Sequence, residues 1–234
     1  MGRVLERDTL TAYGVGPGPE SGSAKTDTAW QGVRMSSEPP HSPPLRHHDY
    51  GMWLVRFTDH VLMVCPKCGG RALVVLHPGL GTPRYSSSLL CRPRRLSCAQ
   101  CGATADWTAE ERGRALVGVV PGGTEDPFFR RPLWLQTRCA GQILWAYNEE
   151  HIDALAAFVG ARLRVRHASP TLGMFARLPA CLKSAAHREE VLAGLGTLRS
   201  LASRSGPADR SDAAYERGDR PRHHGSLIFR GGPY

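Results

Sequence analysis

The feature that most constrains this chain is a pair of matching knuckles, Cys65-Pro66-Lys67-Cys68-Gly69-Gly70 and Cys98-Ala99-Gln100-Cys101-Gly102. In each, two residues separate the cysteines and a glycine follows the second. Thiolates at that spacing grip one side of a metal ion, and the glycine allows a sharp turn that aims backbone N–H groups at the sulfurs. Two such knuckles supply the four thiolates of a closed tetrahedral Zn²⁺ site, with Cys65, Cys68, Cys98 and Cys101 as ligands. Four sulfurs leave no open position for water or substrate, so the expected role is structural. The 29 residues between the knuckles exceed the common ribbon spacing and require a longer hairpin loop.

Two other uses of the cysteines fit less well. A redox pair wants one C-x-x-C at the start of a helix in a βαβ unit, whereas here extended-looking residues follow each pair, 71–76 and 103–108. Disulfides want an oxidising compartment, and the N-terminus lacks a charged-then-apolar leader. A reducing, cytoplasmic location is the expectation. Cys91 has no partner at two-residue spacing and reads as a spectator. No apolar run approaches 18 residues, so no transmembrane helix and no membrane partner are expected.

The 234 residues carry a formal net charge of +9, of which +6 falls on residues 52–148. That is the sign a nucleic-acid partner selects. Only three of the 30 basic residues are lysine, so an arginine surplus set by genome composition explains the same charge.

Along the chain, residues 1–51 are low in apolar side chains and rich in breakers, and are expected to be disordered. Met35 or Met52 could be the true start. Trp53, Val55 and Phe57 alternate as in a strand. Val61–Val64 delivers the first knuckle and Arg71–Leu76 leaves it. Arg92, Arg94 and Arg95 lead into the second knuckle, and Ala115–Val120 is a further strand. A hairpin is expected over 132–147. Asn148 caps a helix with Glu149 and Glu150 in its first turn, carrying Ile152, Leu155, Val159 and Leu163 on one face and stopped by Ser169-Pro170. A last helix runs from about Pro179 to Ala202, and residues 205–234 again read as disordered.

The knuckles resemble the zinc ribbon of the general transcription factor that recruits polymerase in archaea and eukaryotes. The run Pro132-Leu133-Trp134-Leu135-Gln136-Thr137-x-Cys139-x-Gly141, then Leu144-Trp145-Ala146-Tyr147-Asn148-x-Glu150-His151, resembles small bacterial TFIIB-type zinc-ribbon proteins. The resemblance spans roughly residues 60–203. It implies a ribbon followed by two helices and no established activity. Members often have two adjacent cysteines where this chain has Cys139-Ala140.

The expected fold class is α+β: a four-cysteine zinc ribbon with an extra β-hairpin over 52–147, then a helical segment over 148–204 packed on it, with disordered tails 1–51 and 205–234. The leading functional expectation is a nucleic-acid-associated accessory factor in transcription or DNA transactions, with Arg92, Arg94 and Arg95 on phosphate. The alternative is a protein-interaction adaptor docking on a larger enzyme. A third is an enzyme using Cys139 and His151, set face to face across the hairpin. The sequence has no G-x-S-x-G elbow, H-E-x-x-H helix or Walker loop. Trp134, Trp145 and Tyr147 could stack on bases or fill a core.

Overall fold

In chain order, strand β1 (Arg46–Asp49) is followed by a 3-10 turn (Leu54–Thr58) and the strands β2 (His60–Val64), β3 (Arg71–Leu76), β4 (Arg94–Ser97) and β5 (Thr104–Trp107). Next come β6 (Glu110–Arg112), β7 (Ala115–Val119), β8 (Leu135–Cys139) and β9 (Gln142–Ala146). Helix α1 (Glu149–Gly160), strand β10 (Leu163–Arg166), the short α2 (Ala180–Lys183), α3 (Arg188–Ala202) and strand β11 (Ser226–Arg230) complete the order. These elements come from a computed structural model that describes residues 46–81, 85–167, 173–214 and 226–230. The disorder expected of residues 1–45, 215–225 and 231–234, and the Ser169-Pro170 stop, lie outside the described residues.

The chain forms a mixed α+β fold with several sheets. Strands β2-β3-β4-β5 make one antiparallel sheet in sequence order. Its register sets Val64 opposite Arg71, Val74 opposite Leu96, and Ser97 opposite Thr104. Both knuckles are therefore the turns at one end of the same sheet. β2 is apolar from Val61 to Val64 because both of its faces are covered, and all four residues are buried. The β8–β9 hairpin packs against α3, with α1 alongside. Gly194 is what allows that approach. A Cβ there would lie 2.9 Å from Leu144 Cδ2 and 3.5 Å from the Cys139 sulfur, so the close packing offsets the roughly 1 kcal/mol that glycine costs inside a helix.

Asn148 is the cap of α1: its Oδ1 accepts from His151 N at 2.9 Å, while its Nδ2 donates to the carbonyls of Phe57 and His60. Capping and core bracing are thus done by one buried side chain.

Four expectations about secondary structure need correction. Leu54–Thr58 is a 3-10 turn, not a strand, because the carbonyls of Thr58 and Asp59 are taken by the Arg94 side chain rather than by a ladder. Helix α1 ends at Gly160, and 163–166 pairs as a parallel strand with β1, so residues 46–49 are ordered. Arg164 still serves the helix end, donating to the carbonyls of Phe158 and Val159. The last helix is broken between Lys183 and Arg188. Finally, Ser205 to Ala214 is ordered, with Ala213 and Ala214 buried, and β11 pairs with β7. Neither stretch has a periodic apolar face: β11 is held by pairing with β7, and Ser205 to Ala214 by the bond from Arg71 N to Ser205 O and by the two buried alanines, which periodicity does not report.

Candidate metal centre

The two knuckles have the same local build. In the first, Cys65 N donates to Gly70 O and Gly69 N to Cys65 O; in the second, Cys98 N donates to Ala103 O and Gly102 N to Cys98 O. Gly69 and Gly102 hold φ of +77° and +67°, the left-handed region that suits glycine. The turn aims Lys67 N at the Cys65 sulfur and Gly70 N at the Cys68 sulfur, each at 3.4 Å. Across the sheet end, Cys65 and Cys101 sulfurs stand 3.7 Å apart, as do those of Cys68 and Cys98. All four lie within 4.8 Å of one another, an arrangement able to hold a metal ion. Sulfurs this close do not ionise independently. Burial resists ionisation of Cys65, but N–H donation from Cys68 and Lys67 and its thiol neighbours draw it down to about 7. Cys91 stands outside the cluster, its sulfur directed at Ser88 O.

The segment after α3 forms a collar on the first knuckle. Arg71 N donates to Ser205 O at 3.0 Å, and the Arg71 guanidinium bonds Ala202 O. Trp134, fully buried, donates its indole N–H to Leu201 O at 2.9 Å. The end of α3 is thereby tied to both the knuckle and the hairpin, and its last carbonyls gain donors. A Cβ on Gly70 would fall 2.8 Å from Ser205 O and 3.6 Å from Pro207 Cδ. Sequence reasoning missed the collar, although a signal was present. The first knuckle has a second glycine, and the second knuckle has Ala103 in its place. Gly70→Ala is expected to lower stability by about 1–3 kcal/mol through overpacking, read from urea unfolding, whereas Ala103→Gly should not show a loss of that kind.

The three arginines do not form one phosphate-binding row. Arg94, expected at phosphate, is fully buried and this expectation is corrected. Its Nη1 donates to Thr58 O at 2.6 Å and Asp59 O at 3.1 Å, its Nη2 to Leu89 O at 2.6 Å, and its guanidinium lies over the Phe128 ring. Burial lowers its pKa to about 10, so it stays charged at neutral pH. Arg95 is half-exposed and paired through two bonds with Asp106, which raises its pKa. Arg92 bonds Gly81 O.

Cys139 and His151 do not face each other, correcting the pairing expected for an enzyme. Cys139 pairs with Gln142 at the closed end of the hairpin, while His151 lies beyond Ala146 at the open end. Burial, then the Glu190 charge, pushes the Cys139 thiol up, away from a reactive thiolate. His151 stacks on Phe57 at 4.8 Å, and its Nδ1 accepts from Tyr147 N at 3.3 Å. Burial lowers its pKa to about 3. The ring is expected to remain neutral, with the proton on Nε2, down to at least pH 5. Ring nitrogen NMR shifts check this, and protonation near pH 6 would contradict it. Trp134 and Tyr147 are wholly buried core residues.

No family model matches the sequence, and neither a curated protein nor a solved structure matches the chain. No helix among the described residues is long and apolar enough to cross a membrane.

Proposed function

We propose that the chain is a structural-zinc protein of the TFIIB ribbon type, working as an adaptor that docks on a larger partner. The carrying observation is the sulfur cluster. A tetrahedral ion with Zn–S bonds of about 2.3 Å needs sulfurs roughly 3.8 Å apart, and the two cross-knuckle pairs stand at 3.7 Å. Cys65 and Cys101, Cys68 and Cys98 would all bind Zn²⁺, whose chemistry there is to fix the ends of two hairpins. Free thiols throughout the described chain fit a reducing, cytoplasmic setting. Exposed Tyr50, Trp53 and Tyr85 support a docking role, since aromatic residues are enriched where proteins meet.

A second reading, nucleic-acid association, is favoured by the +9 charge. Arg92 remains available to it more than Arg94, which is interior, or Arg95, which is paired. Affinity purification from the native host with and without nuclease separates the two. Partners retained after nuclease favour the adaptor, partners lost favour nucleic acid, and a column with no specific partner counts against both.

A further inference from the structure

A cleft of about 550 Å³ opens on the face built by the 3-10 turn, β9, α1 and the segment Met174–Leu182. That volume is in the range of small-molecule sites, which are apolar with a few placed polar groups. Its walls include Trp53, Trp145, Leu155 and Leu178. Among the described residues no carboxylate lines it, and the one charged lining side chain is Arg177. Arg177 is exposed and has no side-chain hydrogen bond or ion pair among the described residues.

His151, 2% exposed, also lines the cleft. Tyr147 N–H donates to Nδ1, so that nitrogen carries the lone pair and Nε2 carries the hydrogen. Nε2 makes no hydrogen bond among the described residues and is not sealed from the cleft. Packing accounts for the ring's stack on Phe57 and for Nδ1. It leaves the Nε2 hydrogen directed to the cleft, where an oxygen of a bound molecule can accept it in place of solvent.

We infer that this cleft binds a small apolar carboxylate, an aryl or acyl acid that also carries a neutral oxygen acceptor. The apolar body covers Trp145 and Leu155, the acceptor takes the His151 Nε2–H, and the carboxylate pairs with Arg177. A neutral histidine suits a carbonyl, ether or hydroxyl oxygen, because it offers a hydrogen without adding charge to the floor. Burial keeps it neutral across the physiological range. The site is separate from the metal and goes beyond the adaptor reading.

The probe is para-benzoylbenzoate, a diaryl ketone bearing one carboxylate, titrated into full-length zinc-loaded protein and followed by calorimetry and NMR. Saturable one-to-one binding with a shifted His151 Nε2–H resonance is expected. Arg177→Ala should weaken it by roughly three- to fivefold, as an exposed ion pair does, and leave binding of the uncharged parent benzophenone unchanged. Leu178→Trp, which fills the cleft from its half-buried rim, should abolish binding while zinc content stays at the wild-type level. Failure of the probe to saturate, or binding untouched by Leu178→Trp, would overturn the proposal. So would Arg177→Ala weakening both probes equally, since the carboxylate would then be unpaired. If Leu178→Trp loses zinc and fold, photocrosslinking of the ketone in wild-type protein decides: adducts on the cleft walls support the site, and adducts elsewhere reject it.

Discussion

A Cys68→Ser/Cys101→Ser variant is expected to purify without zinc and with the β2–β5 sheet unravelled from its knuckle end. The substitution removes one sulfur from each hairpin turn, so neither knuckle retains the pair needed to grip an ion. Structural zinc contributes about 10–16 kcal/mol of apparent binding free energy in small peptides at neutral pH, comparable with the whole stability of an ordinary domain, about 5–15 kcal/mol. The loss extends past the knuckles, because Arg71 and Gly70 carry the contacts of the Ser205 collar. Proteolysis should therefore cut the segment after α3 in the variant and spare it in the zinc-loaded protein. Cys91→Ser is the control and should keep one zinc per chain by mass spectrometry under native conditions. Full metal occupancy in the double variant would defeat the assignment.

Arg94→Ala should be the most damaging single change away from the cysteines, at about 3–5 kcal/mol, the cost of removing one partner from a buried charged network. Three carbonyls, of Thr58, Asp59 and Leu89, converge on the one guanidinium. Without it the carbonyls of Thr58 and Leu89 are left in the interior without this donor, and the carbonyl of Asp59 loses its bond at the margin. The 3-10 turn before β2 and the segment Ser86–Leu90 before β4 would lose their shared anchor. Arg94→Lys should rescue little, since a compact ammonium does not span acceptors that the guanidinium reaches from two separate nitrogens. Arg92→Ala and Arg95→Ala should stay close to the wild-type urea midpoint. If Arg94→Ala unfolds at the same urea concentration as Arg95→Ala, the bracing role is wrong.

The contrast between neighbouring arginines shows what could be read in advance. The knuckles, the Asn148 cap and the β8–β9 hairpin were legible because each is encoded within a few consecutive residues. Arg94 and Arg95 are equally legible once β4 is accepted as a strand. Successive side chains point to opposite faces, so Arg94 shares the inner face with Leu96 while Arg95 shares the outer face with Ser97. The alternation splits the three arginines, which proximity in sequence groups together. Other features were not legible at all. Pairing of β1 with β10 and of β11 with β7 joins segments more than a hundred residues apart; β1 is short and polar, and the three-residue apolar run Leu227-Ile228-Phe229 of β11 is too brief to announce so distant a partner. The separation of Cys139 from His151 likewise depends on hairpin register, since the turn at Ala140-Gly141 sends them to opposite ends.

The collar also sets an order of events during synthesis. All four cysteines leave the ribosome about a hundred residues before Ser205 does, an interval of roughly 5–20 s at ordinary elongation rates. Through that interval the knuckles can already hold an ion, yet the backbone N–H of Arg71 and the bare Cα of Gly70 still face water. Metal capture and burial of the captured site are therefore separate steps, and the second waits for about a hundred further residues. A polypeptide released early would display an uncovered knuckle, open to competing thiols, so the residence time of a bound ion would report whether translation had reached the collar.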